Sequence, residues 1–156
     1  MNMKLESQLT VRIAQSADAA NLVNFNSWLA DETEGKPLDR DTLSKGIHAI
    51  LEDPSRGFYL VAEMGGEVVG CLMITKEWSD WRNGDFWWIQ SVYVRQNFRR
   101  LGVFRALYGE ARKRAGESDK VCGLRLYVER DNQNAQSTYL NLGFEETEYK
   151  MFEQEF

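Results

Sequence analysis

The sequence predicts an α/β (α+β) domain built on a mixed sheet, and three observations carry that prediction. Segments succeed one another in the order strand, two helices, three-strand meander, helix, strand, helix and a terminal pair of strands. Two hairpin signals, Gly65-Gly66 and Asn83-Gly84, make the meander antiparallel. The strand, helix and strand around residue 100 need a crossover, so they supply one parallel pair. Counted this way, the sheet has about six to seven strands.

Leu9 to Ala14 alternates as a first strand. Ser16 and Asp18 can cap a helix whose stripe is Ala19, Leu22, Val23, Phe25 and Leu29. Asp31 to Asp41 is acidic, contains Gly35 and Pro37, and reads as an irregular loop. Helical spacing resumes from Thr42 to Glu52, and Pro54 closes it. Gly57 to Met64 and Glu67 to Thr75 form the first hairpin, and Phe86 to Arg95 is a long aromatic strand. In the next helix Val103, Phe104, Leu107, Tyr108, Ala111 and Ala115 make one apolar face. Val121 to Glu129 alternates as a strand. Asp131 or Asn132 can cap a short helix that Gly143 stops. Phe144 to Glu148 and Lys150 to Phe156 read as closing strands. Residues 1–7 read as a polar lead-in, and residues 8–156 as a single domain.

A net charge of −5 argues against nucleic acid as the main partner. Neither a membrane-length apolar run nor a signal-peptide pattern is present, so a cytoplasmic protein without a membrane partner is expected. Cys71 and Cys122 lie in strand-like segments and match no metal spacing; buried reduced thiols and no metal are expected.

On this acidic chain the paired arginines between Val92 and Ala106 are a local feature. A strand enters, a loop carries Arg99, Arg100 and Gly102, and a helix starts at once. The first-turn N–H groups lack intrahelical partners and carry the positive end of the dipole, which suits a phosphate. Gly102 leaves the backbone open to it. The plainer alternative is a solvated basic face.

The segment Arg99-x-x-Gly102-x-Phe104 after one strand, followed by Asn132-x-x-Ala135-x-x-x-Tyr139-x-x-x-Gly143-Phe144 after another, resembles the GNAT family of acetyl-coenzyme A-dependent N-acetyltransferases. The resemblance is specific from Phe86 to Phe144 and extends to element order from Leu9 onward. It implies a GNAT-like fold with helices on both sheet faces and a splayed central strand pair. It also implies acetyl-CoA as cosubstrate, with transfer of the acetyl group to a primary amine of a small molecule or protein.

Within the resemblance, the strand before the loop carries a β-bulge, and Val92, Tyr93 and Val94 bond the pantetheine arm. The N–H groups of Arg100, Leu101, Gly102, Val103 and Phe104 hold the pyrophosphate beside Arg99. Phe104 stands where relatives carry a small residue. Asn132 lies near the pantetheine, and Tyr139 is the general acid to the departing thiolate. Gln90 occupies the position where many relatives place a glutamate. It can position a water, while Glu63, Glu77, Asp85 or an already neutral amine are the other routes for the proton.

Other residues have bland readings beside sharp ones. His48, the one histidine, sits on an amphipathic helix as a structural or exposed group. Trp78, Trp81, Phe86, Trp87 and Trp88 suit core, an acceptor wall or a homodimer contact. Asp31, Glu32 and Glu34 read as solvated loop, or as attractors of a cationic amine. The rival functions are a non-catalytic acyl-CoA-binding or regulatory module on the same fold, which Gln90 favours, and a nucleotide-binding protein.

Overall fold

β1 (Leu9–Ile13) leads through a single 3-10 turn into helices α1 (Ala19–Glu34) and α2 (Arg40–Glu52). The chain then forms β2 (Gly57–Met64), β3 (Glu67–Ser79) and β4 (Gly84–Val94), followed by a short 3-10 turn, α3 (Val103–Glu117) and β5 (Val121–Arg125). These elements belong to a computed structural model that describes residues 8–156, so the expected lead-in at 1–7 lies outside the described residues. The chain divides into two compact units, one ending at Leu126 and the other spanning Tyr127–Phe156. The second unit contains α4 (Gln133–Asn141).

The sheet of the first unit runs β1-β2-β3-β4-β5. Its pairs are antiparallel except β4 with β5, which are parallel as the crossover requires. Gly65 and Gly66 both take positive φ, the backbone that a two-residue hairpin demands.

Alternation along the strands sends side chains to two cores. On one face Tyr59, Val61, Cys71 and Tyr93 pack with Leu22, Phe25, Ile47 and Ile50 of α1 and α2. On the other, Val103, Leu107, Ala111 and Ala115 are the buried stripe of α3. Gly70 lets α3 come close: a Cβ there would meet the Tyr93 carbonyl oxygen at 2.9 Å and Val103 Cγ1 at 3.0 Å. Helices therefore cover both faces, and the sheet is mixed.

The structure departs from the sequence reading at five places. Helix α1 continues through the expected loop to Glu34, and left-handed Gly35 ends it with its N–H bonded to the Asp31 carbonyl at 3.1 Å. β3 runs on to Ser79, and β5 stops at Arg125. The closing strands expected at Phe144–Glu148 and Lys150–Phe156 do not form, so the described residues make five strands. Five glutamates crowd residues 144–156. They repel one another and suit a strand poorly, while Tyr149, Met151 and Phe152 stay exposed. Cys122 is exposed on the sheet-edge strand, whereas Cys71 is buried as expected.

Asp18, almost fully buried, ties the start of α1 to the sheet. It takes Arg12 Nη1 and Nη2 at 2.8 and 2.9 Å and the Gln15 N–H at 2.7 Å. Arg12 also grips Glu63 on β2 at 2.8 Å. Burial alone would raise the Asp18 carboxyl, but the bonds from Arg12 and Gln15 hold it below the ordinary value. A group depressed in this way stabilises the fold above its unfolded pKa of about 4, and the contribution fades as pH falls through the folded value.

Asp18→Asn should cost about 1.5–3 kcal/mol at neutral pH by urea denaturation, with the gap to wild type narrowing below about pH 4. Gly70→Ala should cost about 1–3 kcal/mol because backbone and Val103 must shift. Gly109→Ala, in open space on α3, should instead gain up to about 1 kcal/mol.

Candidate active site

The site grows from a counting mismatch between two strands. On β3, Cys71 pairs with Tyr93 and Met73 with Gln90. Two steps on β3 thus face three on β4, leaving one extra residue in β4 between Gln90 and Tyr93. Ser91 absorbs it with φ +49, a left-handed backbone in a non-glycine residue. Such a conformation persists only where its surroundings impose it. The Cys71 thiol donates to the Ser91 carbonyl at 3.3 Å. Burial pushes that thiol up to about 12, so it stays protonated and keeps donating.

Beyond the bulge, β4 continues as Val92–Val94, while β5 pairs with β4 only from Asp85 to Trp88. β4 and β5 share a ladder at one end, and past it β4 runs on paired only with β3.

The loop that follows turns sharply. Gln96–Phe98 makes a 3-10 turn, Arg100 takes φ +64 and Gly102 φ +81. Gly102 caps α3 without a side chain, so no side-chain acceptor covers the first-turn N–H groups. A groove of about 400 Å³ runs along these parts. Its walls are Val92–Val94, Phe98–Arg100, Gly102–Arg105, and Leu29 and Glu32 of α1. The stretch of β4 just past the bulge and the start of α3 thus share one recess. Leu101 is half-buried and does not line it.

The two arginines are not equivalent. Arg99 is braced: Nη2 pairs with Glu32 at 2.7 Å, Nε donates to the Val94 carbonyl at 2.9 Å, and the guanidinium lies over the Tyr93 ring. Glu32 also accepts from the Tyr93 hydroxyl at 3.2 Å and Gln96 at 3.3 Å. Partial burial raises the Glu32 carboxyl, but the Arg99 contacts outweigh it and the net shift is downward. It is therefore charged at neutral pH and neutralises Arg99 locally. No ion pair among the described residues engages Arg100 or Arg105, and both line the groove.

Phe104 lines the groove half-buried and stacks on Tyr108 with centroids 6.3 Å apart. Its bulk is thus accommodated along the helix, and its backbone remains at the first turn.

The candidate bases have different fates. Glu63 is held by Arg12. Glu77 accepts from Trp88 Nε1 at 3.0 Å and pairs with Arg125 at 2.9 Å, contacts that lower its carboxyl and weaken it as a base. Asp85 lies at the start of β4, six residues before the bulge. Gln90 is half-buried next to Ser91 and donates from Nε2 to the Thr75 hydroxyl. His48 is exposed on α2, against the Ser44 carbonyl. Of the aromatic cluster, Trp87 is buried edge-on to Phe58, and Trp78 and Trp81 are exposed.

In the second unit, the Asn132 side chain accepts the Ala135 N–H at 3.1 Å, capping α4 as expected. Tyr139 stands edge-to-face with Phe144 at 6.0 Å, and the Phe144 N–H returns to the Tyr139 carbonyl at 3.0 Å. This fixes the Tyr139-to-Phe144 register of the motif. Burial raises the Tyr139 phenol, which keeps it protonated to higher pH.

Among the described residues no group of three histidine, cysteine or acidic side chains could hold a metal ion. Nor is any helix long and apolar enough to cross a membrane. Sequence reasoning missed Glu32 and Cys71. Neither neighbours its partner in the chain, and nothing local in the sequence signals the pairing of Glu32 with Arg99 or of the Cys71 thiol with the Ser91 carbonyl.

Known proteins can now be set beside this geometry. The family model for the acetyltransferase (GNAT) family matches residues 22–144. A possible acetyltransferase from Clostridium difficile 630 is 44% identical, with a TM-score of 0.90 over 96% of this chain and 98% of that one. A predicted acetyltransferase from Clostridium acetobutylicum, solved with acetyl-CoA, shares the fold at 18% identity and a TM-score of 0.77, covering 94% of this chain and 96% of its own. AAC(6')-Iy, solved with a bisubstrate analog, does so at 19% identity and a TM-score of 0.76, over 95% of this chain and 98% of that one. No curated protein sequence matches. With most of its length matched by the family model and a solved relative nearly half identical over the whole fold, the chain belongs to the GNAT family of acetyltransferases.

Proposed function

We propose that the protein is a cytoplasmic acetyl-CoA-dependent N-acetyltransferase that acetylates a primary amine by direct attack within a ternary complex. The observation that carries this reading is the groove shared by the stretch of β4 just past its bulge and the start of α3, which no side chain caps. The solved relative with acetyl-CoA supports the same cosubstrate.

In this reading Val103–Arg105 present first-turn N–H groups to the pyrophosphate, Gly102 keeps the approach open, and Arg100 adds positive charge. Val92–Val94 bond the pantetheine arm through their backbone and hold the thioester at the bulge, where a backbone N–H stabilises the developing oxyanion. The amine nitrogen attacks the thioester carbonyl carbon, the carbon–sulfur bond breaks, and an amide forms. Tyr139 supplies the proton that the departing thiolate takes up. Its support is the motif register and a phenol that burial keeps protonated. Gln90 positions a water that carries off the ammonium proton, because Glu63 and Glu77 are committed to arginines. Holding both reactants in one cleft supplies much of the acceleration.

The second reading, a non-catalytic acyl-CoA-binding module, draws on the same commitment of carboxylates and on Gln90. Release of free thiol from acetyl-CoA across an amine panel separates the two.

Acetyl-CoA should raise the melting temperature by several degrees at saturating concentration, and a flat titration would sink both readings. Tyr139→Phe should lower kcat at least tenfold while the dissociation constant for CoA stays within twofold. Arg100→Ala should weaken CoA binding about tenfold by calorimetry, the loss of one charge-assisted contact.

A further inference from the structure

A second recess of about 330 Å³ lies on the α1 and α2 side of the sheet. It shares its strand and one helix with the groove described above. Ser91, the bulge residue, lines it, whereas the next residues, Val92–Val94, line the groove. On α1, Asn26 lines the recess, and Leu29, one turn on, lines the groove. The linings of the two cavities therefore adjoin along β4 at the bulge and along α1.

The recess has a polar end, an apolar middle and a cationic rim. At the polar end the buried Tyr59 hydroxyl accepts from Asn26 Nδ2 at 3.1 Å and shares a hydrogen bond with Ser91. Leu43, Ile47 and Ile50 of α2 with Met73 of β3 make the middle. Tyr59 pairs with Met73, and Met73 with Gln90, so Tyr59 and Ser91 lie at nearly one level of the sheet. Arg56 precedes Tyr59 by three residues, which is about 10 Å along an extended chain. Its one ion pair, with Asp53 at 3.3 Å, is exposed and readily exchanged for another carboxylate. No acidic side chain lines the recess, so a second cation on a ligand would be desolvated there without a partner.

We infer that this recess is the acceptor pocket, and that it takes a primary amine joined through a compact apolar spacer to an anionic group that Arg56 receives. The inference rests on the acetyltransferase reading above and adds the acceptor class to it. The volume, at the small end of the range of about 300–1,000 Å³ for small-molecule sites, suits a short aliphatic or single-ring spacer. The amine lies by Ser91, the spacer runs along α2, and the anion reaches the rim. A polycationic acceptor is rejected for want of carboxylates.

Three amines of equal chain length test this: ε-aminocaproate, hexylamine and hexamethylenediamine, assayed by thiol release from acetyl-CoA. The expected order of kcat/KM places ε-aminocaproate at least tenfold above hexamethylenediamine, with hexylamine between them. Arg56→Gln should erase the advantage of ε-aminocaproate over hexylamine and leave hexylamine unchanged. Gly46 lines the recess on α2, and a Cβ there meets nothing within 4 Å. Gly46→Leu should therefore fold, fill the recess and raise KM at least tenfold for every amine, with CoA affinity unchanged. A preference for the diamine, or an unaltered KM in Gly46→Leu, would overturn the assignment. Calorimetric binding of ε-aminocaproate to the CoA-saturated protein separates the two claims. Binding that Gly46→Leu abolishes, without thiol release, leaves the pocket standing and removes the acetyltransferase reading. Thiol release with other amines, without ε-aminocaproate binding, removes the pocket assignment alone.

Discussion

One extra residue in β4 sets the geometry on which the rest depends. A regular antiparallel ladder would run β4 in step with β3 and keep its pleat in phase through to Val94. Because three residues of β4 span two of β3, the strand beyond Ser91 is re-phased, in a stretch that lies past the end of its ladder with β5. The strain of left-handed Ser91 is offset by a donor buried for that purpose, the Cys71 thiol beneath its carbonyl. A thiol is well chosen here. Burial keeps it neutral, so it bonds the carbonyl without the desolvation cost of a charge.

The bulge matters because α3 begins nearby, and Gly70 lets that helix sit close against the sheet. Backbone groups of a strand and the open end of a helix dipole thus share one groove. In the proposed reading the helix start holds a phosphate and the strand orients an extended arm. The loop between them is shaped by two left-handed residues, Arg100 and Gly102, and by the brace from Glu32 to Arg99. That brace spreads charge unevenly. Arg99 serves as structure, tying α1 to the loop, while Arg100 and Arg105 line the groove without an ion pair among the described residues.

Much of this was legible in the sequence, and the legible parts are local. The Gly65-Gly66 hairpin, the parallel crossover, the glycine before α3 and the Asn132 cap each depend on neighbours in the chain. Glu32 and Arg99 are far apart in sequence, so nothing near Glu32 distinguishes it from the solvated acids Asp31 and Glu34. The bulge was expected only through the family resemblance, since alternation through Phe86 to Arg95 looks regular. Residues 144–156 show the opposite failure, an alternating pattern with no ladder to join. Alternation describes how a strand would present its faces; pairing decides whether it exists.

The central claim is that the β4 bulge and the start of α3 act as one binding surface for CoA. Amide chemical-shift mapping by NMR, with CoA titrated into the labelled protein, tests it residue by residue. The account predicts that the largest shifts fall together on Ser91–Val94 and Gly102–Arg105, saturating with a single dissociation constant. Shifts confined to one of these segments, or centred elsewhere on the sheet, would contradict it.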